Sequence, residues 1–159
     1  MSKVLTAYFS ASGVTAAAAR RLAEAAGADI FEIKPEIAYT SADLDWTNKR
    51  SRSTVEMNDA SSRPAIAALP ENLADYDTVF IGFPIWWYTA PRLIDTFVEN
   101  CDLSGKTVIP FATSGGSGMG RTVSELKKLC PGANWKDGKV VNGMSDKALA
   151  AWVKAEIGE

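Results

Sequence analysis

The sequence predicts an α/β fold in which a five-stranded parallel sheet is covered by helices on both faces. Two observations predict it. Short runs that are almost wholly apolar, such as residues 3–9 and 77–83, alternate with helix-forming segments. Strands without an in-out alternation belong to sheets buried on both sides. In addition, three of the strands end in loops of unusual composition, at residues 10–15, 84–91 and 113–120. Ligands of open parallel sheets bind beyond the carboxyl ends of the strands, so the same pattern predicts where function lies.

Each element has a local reason. Residues 3–9 are apolar and stop at the polar break Ser10-Ala11-Ser12-Gly13. Residues 14–26 are rich in Ala, Leu, Glu and Arg, good helix formers, and Gly27 ends them. A second strand covers residues 29–34 and is terminated by Pro35. A helix is expected from about residue 42 to 57, started by Ser41. Residues 77–83 form the third strand. Pro91 can open a helix at its first turn, running to about Asn100. Residues 106–113 read as the fourth strand despite Pro110, and a helix after the glycine-rich loop ends near Leu129, before Pro131-Gly132. A short fifth strand is expected at residues 139–141. Leu149, Trp152, Val153 and Ile157 recur at helical spacing and mark a closing amphipathic helix over residues 145–157.

The bulk numbers exclude several functions. A chain of 159 residues is expected to form one domain, and 47% hydrophobic with 23% charged residues is ordinary globular composition. The net charge of −2, with a single basic cluster at Lys49, Arg50 and Arg52, argues against a nucleic-acid surface. Met-Ser-Lys runs straight into the first apolar strand, and no apolar stretch approaches the ~20 residues that span a bilayer. The expectation is a cytoplasmic protein without a membrane partner. The chain has no histidine, which removes the Ser-His-Asp and Cys-His machineries and the commonest catalytic metal ligand. Cys101 and Cys130 lack a CxxC or zinc-type spacing and read as buried, inert thiols, so no metal site is expected. Any enzymatic chemistry would rest on a bound cofactor.

The first loop brings Ser10, Ser12 and Thr15 together with Gly13 where a strand becomes a helix. Unpaired N–H groups and the helix dipole favour an anion there, and the hydroxyls complete a nest that can hold phosphate without Lys or Arg. Alternatively, Ser12 is an ordinary N-cap. The stretch "YFSASGVT" resembles the phosphate loop of flavodoxins, Ser/Thr-x-Ser/Thr-Gly-x-Thr after the first strand. Together with "IGFPIWW" and "TSGGSG" the resemblance covers the chain from end to end. It implies a flavodoxin-like three-layer sandwich with strand order 2-1-3-4-5 and FMN as cofactor. It places Ser10, Ala11, Ser12, Gly13, Val14 and Thr15 at the phosphate. Val14 departs from the Asn that many flavodoxins carry there, at the expense of one side-chain hydrogen bond.

The second loop delivers Trp86, Trp87 and Tyr88 side by side after Pro84 and Ile85. Adjacent residues cannot all face one core. A flat isoalloxazine ring would stack on such side chains, gaining ~0.5–1.5 kcal/mol beyond area burial, while backbone groups of residues 84–88 reach its polar edge. The alternative is that the rings plug a gap between helix and sheet. The third loop, Thr113-Ser114-Gly115-Gly116-Ser117-Gly118, resembles the flavodoxin loop beside the pyrimidine end of the flavin, where glycines let the backbone approach closely. Its near match to a P-loop fails because Arg121 replaces the Lys whose compact ammonium sits between phosphates. Residues 36–63, with Tyr39, Trp46, Lys49, Arg50 and Arg52, either shape a substrate site, greet the phosphate of NADPH, or form a solvated helix.

Two functional readings follow. One is an FMN-dependent oxidoreductase passing hydride or electrons from NAD(P)H to a small, quinone-like acceptor. The other is an electron-carrier flavodoxin serving a redox partner protein. Carriers of this family ring the flavin with acids, whereas here the second loop has none and Arg92 and Arg121 flank the site loops. That favours the oxidoreductase. The second loop also lacks glycine, so positive φ is expected to be costly there, which favours two-electron behaviour.

Overall fold

The computed structural model describes residues 3–158. The strands β1 (Val4–Tyr8), β2 (Asp29–Glu32), β3 (Thr78–Pro84) and β4 (Thr107–Thr113) are parallel and lie in the order β2-β1-β3-β4. In the register, Ala7 stands between Phe31 and Ile81. The helices are α1 (Val14–Ala26), α2 (Arg52–Asn58), α3 (Arg92–Asn100), α4 (Thr122–Leu129) and α5 (Asp146–Ile157). This is the predicted doubly wound sandwich. None of these helices is long and apolar enough to cross a membrane.

Two layers cover the sheet because successive strand residues turn to opposite faces. On one face Ala18, Ala19 and Leu22 of α1 and Leu149 and Val153 of α5 pack on Tyr8, Phe80, Ile109 and Phe111. Leu93, Ile94 and Phe97 of α3 and Leu126 of α4 pack on Leu5, Ala7, Val79, Ile81 and Phe83 on the other. Each large side chain buried this way contributes ~1.5–3 kcal/mol. Gly82, in mid-strand, is there for packing: a Cβ would lie 2.1 Å from the Phe111 ring, which covers that position.

The outer edge departs from the sequence reading. The expected fifth strand is two short segments, β5 (Asn134–Trp135) and β6 (Lys139–Val140), both paired with β4. Pro110 explains the break. The carbonyls of Lys106, Val108 and Ala112 accept from Asn134, Lys136 and Val141, so even-numbered residues of β4 face this edge. Pro110 faces it too, without an N–H to offer, and the ladder opens between the two segments. A two-residue strand has no periodicity to read, which is why β5 escaped notice.

The helix expected from residue 42 to 57 also needs correction. Only Arg52–Asn58 is helical, capped by the Ser51 hydroxyl, which accepts from Thr54 N–H. Upstream, side chains compete for the backbone. Asp43 and Thr40 exchange hydrogen bonds with each other's N–H, Asp45 accepts from Thr47 N–H, and Asn48 accepts from Arg50 N–H. Such turns offer the chain an alternative to the helix ladder. Arg92 then fixes the end of α2 by donating to the carbonyls of Glu56 and Met57. Beside it, burial pushes the Asp95 carboxyl up to about 6 against the opposing pull of Arg63 and Arg92.

The Thr6 hydroxyl in β1 is fully buried and has no hydrogen-bond partner among the described residues. An orphaned buried hydroxyl costs on the order of 1–3 kcal/mol. Thr6→Val, its near-isostere, is therefore expected to raise unfolding free energy by about 1 kcal/mol or more in urea denaturation. An unchanged or lower value would show that the hydroxyl is satisfied.

Candidate functional site

The three unusual loops meet at the carboxyl edge of the sheet. Thr113, at the end of β4, joins them: its hydroxyl lies 2.6 Å from that of Thr15, and its carbonyl accepts from Ile85 N–H at 2.9 Å. Both hydroxyls are buried. One proton of that pair remains free to donate elsewhere.

The first loop is an open anion cradle. Gly13 caps α1 with φ 94°, a conformation that favours glycine, and its N–H donates to the Ser10 hydroxyl at 3.1 Å. Ser12 is not the cap, since no side chain caps this helix; it is exposed. Ala11 is half-buried at the rim and Val14 is exposed. The first turn of α1 holds no acid, and a Cβ at Gly13 would meet nothing. Orphan N–H groups, the Ser10 and Ser12 hydroxyls and a helix dipole form a donor set that fits a phosphate.

The second loop is strained. Trp86 N–H donates to the Thr89 carbonyl at 2.9 Å and Thr89 N–H to the Trp86 carbonyl at 3.2 Å, which closes a two-residue hairpin turn. Trp87 (φ 50°) and Tyr88 (φ 66°) occupy its centre, where Asn-Gly is the usual pair. Positive φ, which the absence of glycine makes costly, is thus adopted at two adjacent positions. Surrounding contacts hold the conformation. Arg121 donates its N–H to the Tyr88 carbonyl at 2.9 Å and its guanidinium to the Trp87 carbonyl at 3.3 Å. Gly120 makes room, because a Cβ there would lie 2.2 Å from the Tyr88 carbonyl oxygen.

The three rings have different roles. Trp86 is half-buried and meets Phe9 and Tyr39 edge-on, with centroids at 5.8 and 5.5 Å, so it is largely structural. Trp87 and Tyr88 are 37% and 65% exposed. They wall a cavity of about 410 Å³ together with Ile85, Trp86 and Ser117. Its remaining wall is Leu44, Trp46 and Ser53, from the segment before and within α2. Pro84 ends β3 at the base of this loop.

In the third loop Ser114 exchanges two 2.9 Å hydrogen bonds with the Asn142 side chain, and Gly115 and Gly116 are exposed and open. Asn142 was missed: an exposed Asn before a glycine carries no local sign of such a partner. The two arginines part ways. Arg121 is exposed at the loops, whereas Arg92 is buried against α2 and does not flank the site. Arg52 is engaged as well, stacked 3.8 Å above the Tyr39 ring and paired with Glu56 at 2.9 Å. Burial and the Glu56 carboxylate push the Tyr39 phenol well above its ordinary range, so it stays protonated. Cys101 is buried and pushed up to about 12, as expected of an inert thiol, while Cys130 is only half-buried. No cluster of potential metal ligands exists among the described residues.

Sheet order and cradle place the molecule among the doubly wound α/β proteins with a flavodoxin-like layout, a flavoprotein fold. Residues 3–156 match the flavodoxin family, and the chain belongs to it. It is similar to the crystal structure of a candidate flavoprotein from Bacteroides eggerthii DSM 20697, with 56% identity over 99% of both chains and a TM-score of 0.94. A second candidate flavoprotein, from Bacteroides uniformis ATCC 8492, is 53% identical over 96% of this chain and 98% of its own, with a TM-score of 0.92. A flavoprotein from Lactobacillus acidophilus NCFM, crystallised in complex with FMN, shares the fold at 24% identity, covering 85% and 90% of the chains with a TM-score of 0.67. No curated protein matches.

Left-handed backbone costs a non-glycine residue ~1–2 kcal/mol, and glycine entropy returns part of that. Tyr88→Gly, which loses an exposed ring, is expected to stabilise the protein by about 1 kcal/mol in chemical denaturation. A destabilised variant would mean that the ring packs more than its exposure indicates.

Proposed function

We propose that this flavodoxin-family protein is an FMN-dependent oxidoreductase that passes reducing equivalents from NAD(P)H to a small, quinone-like acceptor. The observation that carries the reading is the neutral aromatic cavity beside the cofactor loops, a small-molecule site rather than a protein-docking face. Family membership and the phosphate cradle support FMN as cofactor. When bound, FMN supplies the hydride- and electron-exchanging ring. All other tasks fall to the chain.

Ser10, Ser12, Gly13, Thr15 and the backbone at Ala11 and Val14 would hold the phosphate. Residues 84–88, with Thr113, Ser114, Gly115 and Gly116, would position the ring edge, and Trp87 or Tyr88 its face. Arg121, by holding the carbonyls of Trp87 and Tyr88, limits reorientation of those peptides and favours two-electron over one-electron behaviour. The overall reaction balances simply. One hydride from NAD(P)H and one proton from solvent turn the two carbonyls of a quinone into hydroxyls and release NAD(P)⁺. The second loop carries no acid, and Glu125, the first acid after the third loop, accepts from the Thr89 hydroxyl and lies 3.7 Å from Arg121, which speaks against the acidic surround of an electron carrier.

Two experiments test this reading. FMN-loaded protein should oxidise NADH or NADPH several-fold faster when 1,4-naphthoquinone is added; a rate indifferent to any quinone refutes the oxidoreductase and favours the carrier. Ser12→Asp sets a carboxylate against a phosphate dianion, a repulsion of ~4 kcal/mol per charge pair at 4 Å and intermediate dielectric. FMN affinity should fall on the order of 100-fold or more. Thermal stability of the apoprotein should be unchanged, because Ser12 is exposed and caps nothing. Retained affinity would move the phosphate elsewhere.

A further inference from the structure

We propose that Asn142 is the positioning residue of the third loop: its side-chain amide completes the sheet ladder at Ser114 and thereby sets the affinity for the flavin ring. This rests on the assignment of that loop to the ring made above. It adds a residue that belongs to none of the three loops.

The argument starts from the parallel pairing of β4 with β6. Phe111 stands beside Lys139 and Ala112 beside Val140, and Val141 N–H donates to the Ala112 carbonyl at 2.8 Å. The next rung of such a ladder would run from Ser114 N–H to the Val141 carbonyl. That carbonyl accepts from Met144 N–H instead, at 3.2 Å, because the chain turns away through Gly143 at φ 88°. The Asn142 side chain fills the gap. Its Oδ1 accepts from Ser114 N–H and its Nδ2 donates to the Ser114 carbonyl, both at 2.9 Å. A primary amide carries the donor and the acceptor of a peptide group, so one side chain serves both main-chain groups of Ser114.

Little else holds the loop. A Cβ built on Gly115, Gly116 or Gly118 would meet nothing within 4 Å, so no packing fixes these positions. Among the described residues, Asn142 supplies the hydrogen bonds that reach residues 114–118 from outside the loop. From Ser114 the order passes inward. Its hydroxyl accepts from Gly116 N–H at 3.2 Å and lies 3.0 Å from the Ser117 hydroxyl. Glycines are free to take many backbone conformations, and the conformation that presents Gly115 and Gly116 to a ring edge is one of them. A ligand's apparent affinity falls in proportion to the fraction of protein in the competent state. Two hydrogen bonds to Ser114 raise that fraction before any ligand arrives.

The test is titration of the flavin-free protein with FMN and with riboflavin, followed by quenching of flavin fluorescence. Asn142→Ala should weaken both by the same factor, about tenfold, because the phosphate cradle is untouched. Asn142→Asp keeps the acceptor but sets a carboxylate oxygen against the Ser114 carbonyl, and should lose at least as much. Hydrogen exchange at the Ser114 and Gly116 amides of the flavin-free protein should quicken in Asn142→Ala, while its melting temperature stays unchanged, since Asn142 is exposed. A loss for FMN without one for riboflavin overturns the proposal, as it places the effect at the phosphate. A lowered melting temperature overturns it as well, reducing Asn142 to a general stabiliser. Unchanged flavin affinity also overturns it, and the exchange data then separate two cases. If exchange has quickened, the ring does not lie on the third loop and that assignment falls too; if exchange is unchanged, only the role of Asn142 is refuted.

Discussion

Thr113 is the residue on which the arrangement of the site depends. A parallel sheet delivers its loops to one edge, but nothing in the sheet itself fixes how those loops sit against one another. Thr113 does so through two atoms. Its hydroxyl reaches the start of α1 through Thr15, and its carbonyl takes the N–H of Ile85, the residue that leads into the aromatic turn. Because both hydroxyls are buried, neither can exchange its partner for water without leaving a polar group unsatisfied. The anion cradle and the aromatic turn therefore share one anchor, as a ligand with a phosphate at one end and a flat ring at the other requires.

The aromatic turn shows a second constraint. Two bulky residues in the left-handed region persist only where the surroundings over-determine them. Here a mutual hydrogen-bond pair closes the turn, Arg121 binds two of its carbonyls, and Gly120 leaves space for one of them. The result is that Trp87 and Tyr88 present exposed rings while Trp86 locks inward against Phe9 and Tyr39. A looser turn with Asn-Gly at its centre would satisfy the backbone at lower cost and would carry no rings.

The long passage from β2 to β3 completes the site from outside the sheet. It is held by side-chain turns at Thr40, Asp45 and Asn48, by Arg52 stacked on Tyr39, and by Arg92 reaching back from α3 to the end of α2. Tyr39 in turn packs on Trp86, which links this passage to the aromatic turn. Cavity wall and cofactor loops are thus one connected structure.

Much of this was legible in the sequence. Apolar runs alternating with Ala- and Leu-rich segments determined the layered fold, because burial and helix propensity act on neighbouring residues. Hydroxyl- and glycine-rich loops after β1 and β4 marked the candidate site, and the missing histidine removed whole classes of chemistry. What only the tertiary structure decided involves partners far apart in the chain. Ser41 reads as a helix start, yet the turns formed by Thr40, Asp45 and Asn48 prevail over the helix until Ser51. Pro110 reads as a weak strand residue, and its real effect is to split the opposing edge in two. Arg92 reads as a surface charge beside the site but is buried against the carbonyls of Glu56 and Met57. The bond between Thr15 and Thr113, and the meeting of Trp46 with Trp87 and Tyr88 around one cavity, have no local signature at all, since each depends on how the sheet brings distant segments together.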